Sequence, residues 1–392
     1  MTNTEPIRIA VLGCGAIGSL YAAHLARNED VEVWAVDPWV EHVAAIEAHG
    51  LQVIGHAEFV APVRAIVDPD DLPSCQFAIV ATKALHTRDA VSGALAAIKD
   101  AAVASVQNGV GNEEVIAELV PRVVRGSIVT AGHITQPGCV RYDGPGDSWL
   151  GPFEPSPARA EEIATLAALL TNGGLRTFAL ADARGPQWTK LVFNAATSPL
   201  AALTGLTVGQ VCTHPELRIE VERLIAEAME VADASGIELL RSPLHSVEEA
   251  ITEAFGHKPS MLQDVLARRL TEIDVLNGGI AAQGRRVGVA TPGHDAMVAL
   301  GAFLGDLGDG GSGLGGTAHG ADFGGGVQIN FHLGVGEYDS ADVAAFHHHG
   351  LRGADAALLF AHGAAHAGGH GNFRGGFADA RLADGGGDVF AV

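Results

Sequence analysis

Residues 7–18 read IRIAVLGCGAIG, and this stretch decides the fold. Six residues rich in β-branched and aliphatic side chains, Ile7 to Leu12, have the length and composition of a buried strand. The G-x-G-x-x-G string Gly13-Cys14-Gly15-Ala16-Ile17-Gly18 follows at once, and helical spacing runs from Gly18 to Arg27. The three glycines serve different physical ends. Gly13 permits a tight turn, Gly15 lets a pyrophosphate approach the backbone, and Gly18 lets the helix pack closely on the sheet. Free N–H groups of Ala16 and Ile17 at the helix start then face the phosphates. A glycine-rich turn without a ligand would carry the same letters. The strand before it and the helix after it favour a dinucleotide site.

Working outward, Val31 to Val36, Phe77 to Ala81 and Ala102 to Val106 repeat the buried-strand pattern, with a helical stretch at Val40 to Ala48. Such alternation specifies a parallel sheet with crossover helices. Ser127 to His133 and Cys139 to Leu150 carry glycine and proline and are expected to pair antiparallel. A helix from Ala158 to Leu170 and a strand from Leu175 to Leu180 complete an α/β Rossmann domain over residues 1–183. Asp37 ends the second strand. A carboxylate there accepts hydrogen bonds from ribose hydroxyls and repels a 2′-phosphate, which favours NAD over the alternative, NADP; a simple turn cap before Pro38 is the competing reading.

Residues 184–305 lose the strand signal. Helical spacing at Glu216 to Ala234, Ser246 to Phe255 and Met261 to Ala282 predicts an all-α domain. From 306 to 392 the composition turns abruptly to glycine, alanine, histidine and aspartate, with no lysine. So little apolar surface per residue predicts a disordered low-complexity tail, and a reading-frame shift in a GC-rich gene would explain its sudden onset. His362, His366 and His370 lie four apart within it, but lack a carboxylate partner, so composition explains them better than a metal site.

Of 392 residues, 47% are hydrophobic, enough for sizeable cores, and 46 acidic against 24 basic side chains give a formal charge of −22. That charge argues against nucleic acid or an anionic membrane as partner. No signal-peptide pattern opens the chain and no run of eighteen apolar residues would span a bilayer. Cys14, Cys75, Cys139 and Cys212 are far apart, with no C-x-x-C, which argues against a zinc knuckle or disulfide scaffold. The expectation is a cytoplasmic protein; a homodimer is compatible with the sequence, which does not select it.

Three further strings, Ala81-Thr82-Lys83-Ala84, Gln107-Asn108-Gly109-Val110-Gly111 and S-M-L-Q-D at Ser260 to Asp264, join T-E-I-D at Thr271 to Asp274 and Asn277-Gly278. With W-T-K-L-V-F-N from Trp188 to Asn194, the set resembles the ketopantoate reductase (2-dehydropantoate 2-reductase) family over about residues 7–305. The resemblance implies cofactor contacts at Gly13, Gly15, Gly18, Lys83, Asn108 and Gly132. It implies a proton donor at Lys190, substrate contacts at Asn194 and Ser260, and an acid beside the nicotinamide end at Glu272. Three positions depart from the family pattern. Asp37 replaces a basic residue typical of NADPH-using members, and Ser198 and Val208 replace substrate-holding asparagines.

Elementary geometry adds to this. Lys190, Asn194 and Ser198 are four apart and share one helix face, and Pro199 is expected to end or kink that helix beside a cleft. Alone, such a stripe reads as a solvated face. Its apolar neighbours Leu191, Val192, Phe193, Ala195 and Ala196 point instead to an internal cleft. Ser260 and Gln263 have capping-box spacing. Ser260 and Glu272 would lie roughly 18 Å apart along one straight helix; unless that helix bends they cannot touch the same atom, and so are expected to serve opposite ends of the site.

The combined reading is hydride transfer between a nicotinamide cofactor and a small 2-oxo acid, 2-dehydropantoate first. Lys190 is the acid, Glu272 the orienting group, and Asn194, Ser198 and Ser260 bind the substrate. A D-2-hydroxy-acid dehydrogenase for another branched or aromatic 2-oxo acid is the alternative within the class. A nucleotide-sensing protein without turnover is the alternative outside it.

Overall fold

The computed structural model describes residues 5–308, so the expectations for the tail, including the three spaced histidines, lie outside the described residues. The first unit comprises β1 (Ile7–Leu12), α1 (Ala16–Leu25), β2 (Val31–Val36), α2 (Val40–His49), β3 (Leu51–Gly55), β4 (Phe59–Ala61), β5 (Arg64–Ile66) and β6 (Phe77–Val80). It continues with α3 (Thr87–Gly93), α4 (Leu95–Ile98), β7 (Ala102–Ser105), α5 (Asn112–Ala117), β8 (Val123–Ile128), β9 (Ala131–Gln136), β10 (Cys139–Gly144), β11 (Ser148–Pro152), α6 (Ala160–Gly173) and β12 (Thr177–Ala179).

Eight of these strands form one sheet in the order β12-β11-β8-β7-β6-β1-β2-β5. All its pairings are parallel except β8 with β11. Strands β6 and β7 are buried along their whole length, as a sheet covered on both faces requires. One core, with Leu20, Ile46 and Leu166, lies on one face, and another, with Val91, Ile98 and Ile116, on the other. The chain leaves β1 in one direction to β2 and later returns on its other side as β6. The crevice beyond the carboxyl ends of those strands is where open α/β sheets bind ligands.

The antiparallel expectation for residues 127–150 holds, but as four strands in two sheets. β8 pairs β11, while β9 and β10 form a hairpin in a separate sheet of order β4-β3-β10-β9.

The second unit is helical: α7 (Arg184–Thr204), α8 (Val208–Thr213), α9 (Pro215–Ala234), α10 (Pro243–Thr252), α11 (Ser260–Leu266), α12 (Ile273–Val287) and α13 (Pro292–Gly308). Trp188, Val192, Leu224, Ile225 and Ile280 centre its core. Two expectations are corrected here. Of the two outcomes expected at Pro199, an end or a kink, the end does not occur: helix α7 continues through Pro199 to Thr204. Proline lacks the N–H that would bond the carbonyl of Ala195, and Asn277 Nδ2 donates to that oxygen instead, at 2.9 Å. The stretch Met261 to Ala282 is two helices, α11 and α12, separated by a turn in which Arg268 takes a left-handed φ of 54°.

Candidate active site

The glycine loop has the geometry its sequence demands. Gly13 has a φ of 85°, open to glycine and strained for other residues. A Cβ on Gly18 would stand 1.9 Å from the carbonyl oxygen of Gly13, so only glycine lets α1 start this close to the turn. Gly15 has open space where a Cβ would be, and as N-cap of α1 it provides no side-chain cap. The first N–H groups of α1 are therefore not taken by a capping side chain, and this cradle fits a pyrophosphate. Gly13, Gly15, Ala16, Ile17, Asp37, Lys83, Asn108 and Gly132 all line one cleft of about 1950 Å³, whereas Gly18 supports the loop from behind. A volume this large exceeds a single small-ligand pocket and accommodates a dinucleotide and a substrate together.

Asp37 is bound to the loop. Its carboxylate accepts from the Cys14 N–H at 2.7 Å and the Trp39 N–H at 2.9 Å. The turn-cap reading is thus realised through Trp39, and the carboxylate still borders the cleft.

Helix α7 brings Lys190, Asn194 and Ser198 to the same cleft. Lys190 Nζ donates to Asn108 Oδ1 at 2.8 Å, and Asn108 Nδ2 donates to Glu272 Oε2 at 3.2 Å. Asn108 therefore joins the Lys190 ammonium to the Glu272 carboxylate, one hydrogen bond on each side. Burial lowers the pKa of Lys190 to about 8, and the nearby charge of Glu272 opposes that fall.

Glu272 is buried and is the N-cap residue of α12. Its Oε1 accepts from the Ala84 N–H at 3.1 Å. Lys83 Nζ lies 2.5 Å from Asp264 Oδ2 and 3.5 Å from Glu272 Oε2, so this ammonium is bound by two carboxylates of the helical unit. On one straight helix, eight residues would separate those carboxylates by about 12 Å. The turn at Arg268 is what lets both meet one ammonium. The same turn breaks the helix between Ser260 and Glu272, the expected exception to their separation of roughly 18 Å along one rod; both border the cleft.

The capping box fails too. Pro259 is the N-cap of α11, Ser260 is its first helical residue, and Gln263 Nε2 donates to the Lys258 carbonyl at 2.8 Å. Ser260 is left exposed to the cleft.

Sequence reasoning assigned no role to Asp264, although it ends the S-M-L-Q-D string. It also passed over Gln187, whose place three residues before Lys190 on a common helix face was a readable signal. Gln187 Nε2 donates to Gly109 O at 3.2 Å and Glu113 Oε1 at 2.7 Å, tying α7 to the loop after β7.

Known proteins are similar to this chain in sequence and fold. Residues 9–155 match the family model for ketopantoate reductase PanE/ApbA, and residues 182–304 match the model of its C-terminal part. The chain belongs to the ketopantoate reductase family. The 2-dehydropantoate 2-reductase of Archaeoglobus fulgidus is 31% identical over 285 residues, 72% of this chain and 92% of the relative. That of Pyrococcus horikoshii is 30% identical over 288 residues, covering 73% and 93%. Among solved structures, a ketopantoate reductase from Ralstonia eutropha superposes with a TM-score of 0.69 at 28% identity, over 77% of this chain and 99% of that one. A D-mandelate dehydrogenase solved with NADH and anilino(oxo)acetate gives 0.70 at 28% identity over the same shares. Family membership makes the chain a nicotinamide-dependent oxidoreductase acting on CH–OH groups, and the Rossmann and helical units are those of the family. Among the described residues, no helix is long and apolar enough to cross a membrane.

Proposed function

We propose that the protein reduces the C2 carbonyl of a small 2-oxo acid, 2-dehydropantoate in the first instance, to the 2-hydroxy acid. The observation that carries this reading is the chain Lys190–Asn108–Glu272 on the wall of the glycine-loop cleft. A reduced nicotinamide cofactor, when bound, supplies the hydride. Lys190 supplies the proton: as negative charge grows on the carbonyl oxygen, the ammonium N–H bonds it and then gives it the proton. The neutral amine left behind is reprotonated from solvent. A pKa near 8 keeps most of the acid charged at neutral pH while making the proton easier to release than from an ordinary lysine. Asn108 holds the ammonium by its oxygen, and Glu272 holds Asn108 by its nitrogen. Asn194, Ser198 and Ser260 border the same cleft and are assigned to the substrate's oxygens.

The cofactor preference belongs to this proposal, with Asp37 supporting NAD. So do a cytoplasmic placement and a homodimer, the latter read by light scattering. A second substrate reading also has support. Val208 and Phe193 present apolar surface in the cleft, where a branched or aromatic 2-oxo acid would gain contact and the hydroxyl of ketopantoate would not. The dehydrogenase solved with anilino(oxo)acetate fits that alternative. Following reduced-nicotinamide absorbance with NADH or NADPH and a panel including 2-dehydropantoate, branched 2-oxo acids and phenylglyoxylate tests the whole. Turnover with none of them refutes the enzymatic reading.

A further inference from the structure

Behind Lys190 lies a small second cavity, walled by Gln107, Asn108, Ser127, Gln187, Lys190 and Asn194 among others. It leaves about 10 Å³ to the centre of a water molecule, which is room for one. Two buried side-chain atoms on its lining residues, Gln187 Oε1 and Ser127 Oγ, bond no protein group. Gln187 is 5% exposed and Ser127 3%. The orientation of the Gln187 amide is set by its nitrogen, which donates to the Gly109 carbonyl and to Glu113 and leaves the oxygen unbonded. Buried polar atoms of this kind are costly without a partner. A polar pocket of one-water size with several convergent partners is where an ordered water resides.

Lys190 supplies the remaining partner. Its ammonium has three N–H donors. Asn108 takes one, and in the proposed reaction the substrate oxygen takes another. We infer that a single water in this cavity accepts the third and donates its own two hydrogens to Gln187 Oε1 and Ser127 Oγ. Gln187 and Ser127 are then positioning residues that hold the proton donor through that water. The inference rests on the reading of Lys190 as the acid.

An acceptor for the ammonium favours its charged form. The charged groups that border the cavities beside Lys190 from the elements packed against α7 include Glu272 of α12, Asp264 of α11 with its partner Arg269, and Glu249 of α10; Lys83 is bound to the first two, and Arg125 of β8 lies behind Gln187 on Glu113 of α5. Neither variant below removes any of these charges.

The test is the titration of Lys190 itself in the full-length, substrate-free protein. The chain has four lysines, Lys83, Lys99, Lys190 and Lys258, so ¹³C-labelled lysine side chains are resolvable by NMR and Lys190→Arg assigns the signal. In Ser127→Ala and Gln187→Met, the Lys190 pKa should fall by about 0.5–1 unit below the wild-type value. A high-resolution crystal structure should place one water against Gln187, Ser127 and Lys190. An unchanged pKa in the folded variants, or no water in that cavity, overturns the inference. If Gln187→Met does not fold, Ser127→Ala, which removes a single buried atom, decides alone. No substrate enters the titration, so absence of turnover would count against the proposed reaction and leave this result standing.

Discussion

Asn277 completes a hydrogen bond that Pro199 cannot make. Pro199 sits inside α7 without an N–H, and the amide of Asn277, from α12, reaches the carbonyl of Ala195 at 2.9 Å. The same Asn277 nitrogen donates to His294 Nδ1 at 3.1 Å, while His294 Nε2 donates to the Leu224 carbonyl at 3.0 Å. Four helices are joined through one side-chain amide.

Asn277→Leu should therefore lower stability by about 1–3 kcal/mol, the cost of a buried polar group left unpaired. Pro199→Ala restores the missing N–H. In that background the penalty of Asn277→Leu should shrink, and urea denaturation of the four proteins forms the cycle. Equal penalties in both backgrounds would show that the two residues act independently.

The buried histidines make stability depend on pH with a definite sign. Burial lowers the pKa of His294, and also of His24 and His42, below 6.5. The unfolded chain then binds protons more readily than the folded one as pH falls below about 6.5. Stability is complete above that value and declines as pH falls toward the folded pKa values. The urea midpoint should drop between pH 7.5 and 5.5, and His294→Gln should flatten part of the slope. A midpoint independent of pH over that range would contradict this.

Lys190→Ala should reduce kcat for ketone reduction by about 10²–10⁴-fold, the usual contribution of a general acid. Cofactor affinity should change little, because the glycine loop lies elsewhere in the cleft. Lys190→Arg should not restore activity, since guanidinium holds its proton too firmly. In the wild type, reduction should slow above about pH 8 as the acid loses its proton. A variant keeping more than a tenth of the turnover would make Lys190 a bystander.

Asp37 should set the cofactor preference. Asp37→Ala removes a negative charge from the cleft and two acceptors from the backbone of Cys14 and Trp39. The ratio of kcat/KM for NADPH over NADH should rise by about tenfold, equivalent to about 1.4 kcal/mol. An unchanged ratio would mean that the carboxylate serves the turn alone.

Much of this was legible because local spacing controls it. The glycine loop needs three glycines at fixed offsets, and four-residue spacing puts Lys190, Asn194 and Ser198 on one face whatever surrounds them. The second sheet was not legible. β10 pairs in parallel with β3, nearly ninety residues earlier, and strands of three to six residues leave little periodicity to detect. The turn between α11 and α12 was equally hidden, because residues 267–271 contain neither glycine nor proline. Arg268 adopts its left-handed backbone there while Lys83 draws together the carboxylates on either side. Capping-box spacing at Ser260 misled for the complementary reason: the right letters were present one residue beyond the actual cap.

Glu272 has a consequence for how the enzyme must cycle. The hydrogen bonds and ion pair of its carboxylate all run to the Rossmann unit, to the Ala84 N–H, the Asn108 amide and the Lys83 ammonium. Any motion that separated the two units enough to release a product would break those bonds together. It would also detach Glu272 from the asparagine that holds Lys190. Opening and disarming are thus a single event: the separation that frees the cleft also takes Lys190 and Glu272 away from the asparagine they share, so the proposed proton donor is held in place only in the closed molecule.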